Sequence, residues 1–452
     1  MTVNDLTKTL FGYWIVRLVV GVGVTAWALL LLRLSPYRGI TNMCWVYRVP
    51  RIGFLKGFAY RVITGYVFDR SAGDGRLMKE FLASDAATSA ADRILKRQAP
   101  FDSMFRDIMV LKAPVNGEKG VIVLEYTVRF DLFVAMYDMD KVFRDYYVVL
   151  EPCWAGYCDP SILMFVTEKA DIVVQCPEQT DLDFITGLNC NLKPMMLGSS
   201  DWIDGDLFSP PDNVTKPYDL VMVANWGKHK NHRKLFAALE QVNRPISLLL
   251  IGGDMAGRTA ADIRAEMAEY ALPHVTLEIK QDIPASDVAG YLARSKVFLL
   301  LSEKEGSNRA IVEALFANTP AILYENFIGG AKGKINAQTG VLSSFERLHE
   351  AIIKMLDEHE RFQPRAWALQ NTGSKNATRK LNALLAKIAR SRNESWDVPI
   401  VEKVNNPNFN YKASDSLPLS QQAKGITSAY LRPQVRAELV RSEPQVLEPV
   451  TS

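Results

Sequence analysis

Histidine is scarce in this chain: there are five among 452 residues, and none precedes His229. No His-Glu-x-x-His stretch and no paired Cys/His run occurs, which argues against a structural zinc site. Cysteine is sparse too. Five, an odd number in a long chain, argue against a disulfide scaffold and for a reducing compartment. Neither sign of charge dominates: 53 Lys+Arg against 50 Asp+Glu leaves +3, so charge alone makes no case for a nucleic-acid partner. Hydrophobic residues at 48% and charged residues at 23% lie in the globular range, which excludes a disordered chain and a polytopic membrane protein. The length allows about three domains of roughly 150 residues.

One long apolar run is present. Leu10 to Leu32 reads LFGYWIVRLVVGVGVTAWALLLL, interrupted only by Arg17. About 20 residues of helix cross the hydrocarbon of a bilayer, so the length suffices for a span. Arg17 lies near one end, where a long side chain snorkels to the headgroups, and Tyr13 and Trp14 mark the same edge. The run is long for a signal peptide and no small-residue cleavage site follows it. A buried helix of a soluble core has the same composition. Lys8, opposed by Asp5, precedes the run, whereas Arg33, Arg38, Arg48, Arg51, Lys56 and Arg61 follow it. The positive-inside rule then predicts a single-pass membrane protein with its C-terminal bulk in the cytoplasm. From Trp45 to Phe68 the cations alternate with aromatic residues, a mixture that suits a headgroup surface or an ordinary domain edge.

From about Lys119 strand and helix patterns alternate. GVIVLEY (Gly120–Tyr126), a helical spacing over Asp131–Asp145, Tyr146–Leu150 and IVVQ (Ile172–Gln175) predict a parallel sheet with helices on both faces. The Asp-, Ser- and Pro-rich stretch Ser199–Pro217 reads as a linker. A second series follows: Leu220–Ala224, Ser247–Gly252, His274–Ile279, Val297–Leu301 and Ala321–Leu323, with helices starting near Asn231, Thr259, Ser286 and Asn308 and one over Phe345–His359. The fold class expected is therefore α/β, two doubly wound Rossmann-like units facing a cleft, plus an N-terminal hydrophobic helix. Boundaries fall at 1–70 (anchor and interfacial segment), 71–215, 216–390 and 391–452, the last a polar, proline-containing tail, flexible or laid on the surface.

Chemistry concentrates in the second unit. After VFLLLS comes EGSNRAIVEALFANTPAIL, with Glu305 in the loop and Glu313 eight positions later inside the next helix. Asn308 is placed to cap that helix, and backbone N–H groups around Gly306, Ser307 and Asn308 would point into the cleft. Such a terminus carries about half a positive charge, suited to an anionic group or sugar hydroxyls. The two carboxylates are too far apart to share one proton, but suited to grip two ends of one extended ligand.

These residues resemble the retaining group 1 glycosyltransferases of GT-B fold, whose signature is Glu, seven residues, Glu at a strand–loop–helix junction. The resemblance covers roughly Tyr218 to Leu356 and takes in LLLIGGD with Gly252, TGVL (Thr339–Leu342) and the linker start MLGSSDWIDGDLFSP. It implies that Glu313 binds the ribose of a nucleotide-sugar donor and that Glu305 contacts hydroxyls of the transferred sugar. VANWGKHKNHRKL follows the first strand of this unit, where the leaving diphosphate needs fixed cations. Lys230 matches the family lysine, but Asn225 stands in place of the usual arginine, and Lys228 is the available substitute. Taken alone, a Lys-His-Lys loop is an ordinary solvated surface. In the first unit YTVRFD, with Arg129 and Asp131, replaces the glycine-rich loop, and the usual histidine is missing. EPCWAGYCDP offers Glu151, Trp154 and Tyr157 as acceptor-side candidates, though Trp154 and Cys153 equally suit a core. No metal is expected: three Asp-x-Asp pairs (Asp138/Asp140, Asp181/Asp183, Asp204/Asp206) read as solvent-facing acids.

The function implied is transfer of a sugar from a nucleotide donor to a lipid-linked or cell-envelope saccharide acceptor, retaining, with no cofactor and no nucleic-acid partner. The alternatives are a catalytically silent nucleotide-sugar-binding scaffold in a polysaccharide assembly complex, and a two-domain epimerase, for which an acid/base pair is lacking.

Overall fold

The β-branched runs assemble into two separate sheets in the computed structural model of the chain, which describes residues 13–69, 71, 73–96, 98–105, 107–405, 409–412 and 419–442. The start of the apolar run, with Lys8 and Asp5, lies outside these. The first sheet has the order β1-β2-β3-β4-β5, with β1 (Ile108–Lys112), β2 (Gly120–Glu125), β3 (Tyr146–Glu151), β4 (Ile172–Gln175) and β5 (Leu192–Met195). β2 to β5 are parallel, and β1 runs antiparallel to β2 at the edge. β1 to β4 are buried throughout, as strands covered on both faces must be.

The second sheet is parallel, in the order β11-β10-β9-β6-β7-β8. Its strands are β6 (Tyr218–Val223), β7 (Ile246–Gly252), β8 (Val275–Gln281), β9 (Ser295–Leu300), β10 (Ala321–Tyr324) and β11 (Gly340–Ser343). Strand order reverses between β6 and β9. The loops leaving these neighbours diverge and open a crevice at their carboxyl ends, where ligands bind in sheets of this type.

The helical pattern over Asp131–Asp145 resolves into two helices, Thr127–Met136 and Met139–Asp145. Asp138 breaks them by capping the second, its Oδ1 accepting the Lys141 N–H at 3.2 Å. Residues 374–391, expected in the second unit, form a helix that returns to the first, where Leu381, Leu385 and Ile388 pack with Met109, Val121 and Val149. The segment beyond 391 is likewise built into the first unit in its described parts. β12 (Lys403–Asn405) and β13 (Phe409–Tyr411) form a hairpin, Lys403 is fully buried, and Leu431, Val435 and Leu439 join the first core.

At the N-terminus α1 (Trp14–Leu34), α2 (Pro36–Arg48) and α3 (Gly53–Val67) follow one another closely. By length and composition α1 is able to cross a membrane. α2 and α3 are not a separate anchor. Ile40, Met43 and Cys44 of α2 and Ala59 and Ile63 of α3 enter the first unit's core. Arg48 bonds Asp159 at 2.7 Å, and the Tyr47 ring lies 5.4 Å from Phe184.

Candidate functional site

Lys230 leaves β6 and Glu305 leaves β9, the two strands that flank the point of reversal. Their side chains meet across it. Lys230 Nζ donates to Glu305 Oε1 at 2.6 Å, with side chains only 11% and 16% exposed. Asn308 does two things at once. Its Oδ1 caps the helix Arg309–Phe316 by accepting the Ile311 N–H at 3.1 Å, and its Nδ2 donates to Glu305 Oε2 at 2.7 Å. Burial disfavours the ionised Glu305, but Lys230 and the Asn308 amide outweigh it, and its carboxyl is held below the usual range. Asn231 fixes the other side of the pair. It sits at φ +61°, a conformation asparagine tolerates better than most residues, and its Nδ2 donates to the Leu301 carbonyl at 2.9 Å. The β6 and β9 loops are thereby tied together. Asn231 was predicted only as a helix start; its role in joining the loops left no pattern in the sequence.

Glu313 lies in the second turn of the same helix. Burial pushes its carboxyl up to about 7, and Arg309, one turn back, offsets this only in part. It is poised between charged and neutral near pH 7, ready to accept or donate a hydrogen bond to a hydroxyl-bearing ligand.

Several expected donor contacts are used for structure instead. A Cβ on Gly306 would lie 1.9 Å from the Cys153 carbonyl oxygen, so the close approach this glycine permits is made by the first unit's own loop. Ser307 Oγ accepts the Ser200 N–H at 3.0 Å and lies 2.7 Å from Ser200 Oγ, while its carbonyl accepts from Ser199 Oγ at 3.2 Å. Gly252 makes room for the Ala224 carbonyl and the Trp226 ring. Asn225 turns its own loop, Oδ1 accepting the Gly227 N–H at 3.1 Å. Lys228 is exposed.

The first unit's candidates separate in the same way. Glu151 is buried and receives Lys403 Nζ at 2.7 Å. Glu125, at the matching end of β2, bonds the same ammonium from the other side. Burial drives the Glu125 carboxyl well up despite Lys403, whereas the two carboxylates together raise Lys403 against its own burial. Glu125, Glu151 and Lys403 thus form a buried triad in which one ammonium is bonded to both carboxyls. Tyr157 is a core residue whose hydroxyl donates to the Gln175 carbonyl at 2.9 Å. Asp131 lies on the helix Thr127–Met136 toward Ser161 and Asp159, and burial pushes its carboxyl up to about 6. Arg129 Nε is bound to Asp107 at 2.8 Å. Trp154 alone among the aromatic candidates is open, 62% exposed, and it belongs to the loop that meets Gly306. Tyr126, where the glycine-rich loop was expected, takes φ +65° and faces the charge of Arg309.

Of the Asp-x-Asp pairs, Asp181 is buried rather than solvent-facing, accepting the Gly156 and Tyr157 N–H groups at 2.9 and 2.8 Å. Asp140 bonds Lys169, and Asp204 and Asp206 bond Lys412. Among the described residues no group of three or more His, Cys, Asp or Glu is placed to hold a metal ion.

The lysine–carboxylate pair thus stands at the point of reversal of a doubly wound sheet that faces a second such unit. Residues 206–372, the greater part of the second unit, match the model of the family described as glycosyl transferases group 1. No curated protein sequence matches the chain. Among solved structures, sucrose-phosphate synthase from Thermosynechococcus elongatus is 17% identical with a TM-score of 0.47, covering 60% of this chain and 74% of that one. HepE from Anabaena in complex with UDP-glucose is 15% identical with a TM-score of 0.44, covering 58% and 78%. A glycosyltransferase from Rickettsia africae is 13% identical with a TM-score of 0.42, covering 56% and 80%.

Proposed function

We propose that the chain transfers a sugar from a nucleotide-sugar donor to a lipid-linked or cell-envelope saccharide acceptor, with retention of anomeric configuration and without a metal. The observation that carries this reading is the Lys230–Glu305–Asn308 cluster at the reversal of the second sheet. In the resting protein Glu305 holds the lysine in place. When a donor enters, its diphosphate takes over the Lys230 ammonium, and Glu305 turns to hydroxyls of the sugar. A fixed cation and the capped helix N-terminus then stabilise the charge that develops on the leaving group. Glu313, half neutral near pH 7, takes the ribose hydroxyls, and exposed Trp154 offers a ring face to the acceptor. Attachment through the N-terminal helix, with the folded units on the basic, cytoplasmic side, brings lipid-borne acceptors near the crevice and raises their effective concentration.

A thermal-shift series with UDP-, GDP- and ADP-sugars, followed by assay of nucleoside diphosphate release, tests this directly. One nucleotide sugar should stabilise the protein and be consumed, its product keeping the donor's anomeric configuration. Inversion, or turnover that stops on adding a chelator, contradicts the reading. A silent nucleotide-sugar-binding scaffold is favoured by one observation: Gly306 and Ser307 are already engaged by the first unit. Stabilisation by a donor with no turnover against any acceptor would select that alternative.

A further inference from the structure

The geometry points to one-sided docking on an anionic bilayer: α1 lies in a single leaflet while still packed along α2, and does not cross the membrane. Gly21, Thr25, Ala28 and Leu31 form the one stripe of α1 that is buried. Contact persists along most of the helix. A Cβ on Gly39 of α2 would strike the Leu32 backbone at 2.7 Å, and one on Gly21 would meet the side chains of Leu55 at 2.6 Å and Pro50 at 3.2 Å. From Gly21 to Leu32 the rise is about 16 Å, so α1 and α2 run antiparallel over nearly the whole length of α2. α2 cannot follow α1 into hydrocarbon. Its other face is part of the first unit's core, and Arg48 at its end is bonded to Asp159. Crossing the bilayer would require α1 to peel off and expose Thr25, Ala28 and the surface around Gly39, or would draw the guanidinium groups of α2 into lipid, which is costly.

Away from that stripe α1 is apolar and open, with Val19, Val22 and Leu30 exposed and Trp27 at 53%, while Trp14, one heptad before Gly21, is 64% exposed at the helix start. A helix about 10 Å across with one face on protein and the other on acyl chains fits within half a bilayer. The charge around it names the surface. No Asp or Glu occurs between Asp5 and Asp69, while Arg33 on α1, Arg51 just before α3, and Lys56 and Arg61 on α3 are exposed. A cationic, aromatic-rimmed apolar patch without acids complements a leaflet carrying anionic headgroups. This inference concerns attachment alone and stands apart from the transfer chemistry.

The full chain, tagged ahead of Met1 and expressed in a bacterium, provides the test. In sealed inside-out membrane vesicles, added protease should remove the N-terminal tag and digest the folded units alike, without detergent. Protection of the tag until detergent is added, while the folded units are digested, would establish a span and overturn the inference. A second arm uses purified protein with phosphatidylcholine vesicles, with and without phosphatidylglycerol. Binding should be tighter on the anionic vesicles, and the variant Arg51→Gln/Lys56→Gln/Arg61→Gln should lose about tenfold or more of that affinity. Equal binding by the variant, or no vesicle binding and self-association through α1 instead, counts against the proposal. Donor turnover by the same variant in detergent should match the parent chain, which separates failure of docking from failure of the transferase reading.

Discussion

Replacing Lys403 by methionine isolates the contribution of the buried triad at the carboxyl ends of β2 and β3. The methionine fills most of the space but leaves Glu125 and Glu151 without their shared cation. Burial already favours the neutral form of Glu125, and Glu125 Oε2 lacks a hydrogen-bond partner. With the ammonium gone, a carboxylate that it balanced must stay charged in a dry site or take up a proton. Holding one ordinary glutamate neutral at pH 7 costs about 3–4 kcal/mol, a ceiling that shrinks by about 1.4 kcal/mol for each pH unit below that. Breaking buried ion pairs by removing one partner costs about 3–5 kcal/mol, which agrees. Urea unfolding followed by tryptophan fluorescence at pH 7 and pH 5 reads the effect as a change in midpoint at constant slope. Lys403→Met should unfold at markedly lower urea at pH 7, recover part of the difference at pH 5, and recover most of it at both pH values when Glu151→Gln is added. A midpoint unchanged at pH 7, or a loss equally large at pH 5 and not relieved by Glu151→Gln, would refute the argument from charge burial and leave packing as the cause.

Asn308→Ala should lower stability by about 1 kcal/mol through the lost cap, and it should also loosen Glu305, so donor affinity falls together with the unfolding midpoint. Glu313 is expected to make the folded protein less stable as pH rises. Its folded carboxyl titrates near 7 rather than 4.5, so the folded chain retains a proton that the unfolded chain releases in that window. Glu313→Gln should therefore unfold later than the parent by about 1–2 kcal/mol at pH 8 and by nothing at pH 4, a contrast visible in thermal melts. Gly306→Ala places a methyl 1.9 Å from the Cys153 carbonyl, so the two units must separate locally at a cost of about 1–3 kcal/mol, and protease sensitivity around Trp154 should rise.

The second unit was legible because its inner strands β6, β7, β9 and β10 are largely buried and each is written as a short apolar run. Position then followed from topology: residues just after β6 and β9 must meet at the reversal, and Lys230 and Glu305 do. The first unit was less so. β1 is an antiparallel edge strand, and β5 reads LKPM, whose Pro194 disguises an edge position that a proline tolerates. Gly306 was read as turning its N–H into the cleft, yet the backbone that comes close to it is the Cys153 carbonyl of the first unit. α1 was read as a span from length and composition, a reading blind to the contacts of the buried small residues Gly21, Thr25 and Ala28, which count as ordinary membrane-helix residues. The segment beyond Ser391 looked polar and aperiodic. Its decisive residue, Lys403, pairs with carboxylates 278 and 252 positions away, a relation with no local pattern.

The account depends most on the Lys230 ammonium facing a departing diphosphate with Glu305 beside it. Its most direct test is the rate of nucleoside diphosphate release, using the nucleotide sugar that most stabilises the protein, by the parent chain, Lys230→Ala and Glu305→Gln, each confirmed folded by circular dichroism. Loss of a fixed charge at the developing anion predicts a fall in kcat of about 10²–10³ for Lys230→Ala, larger than any change in donor affinity, with a comparable fall for Glu305→Gln. Parent-like kcat in both folded variants would contradict it.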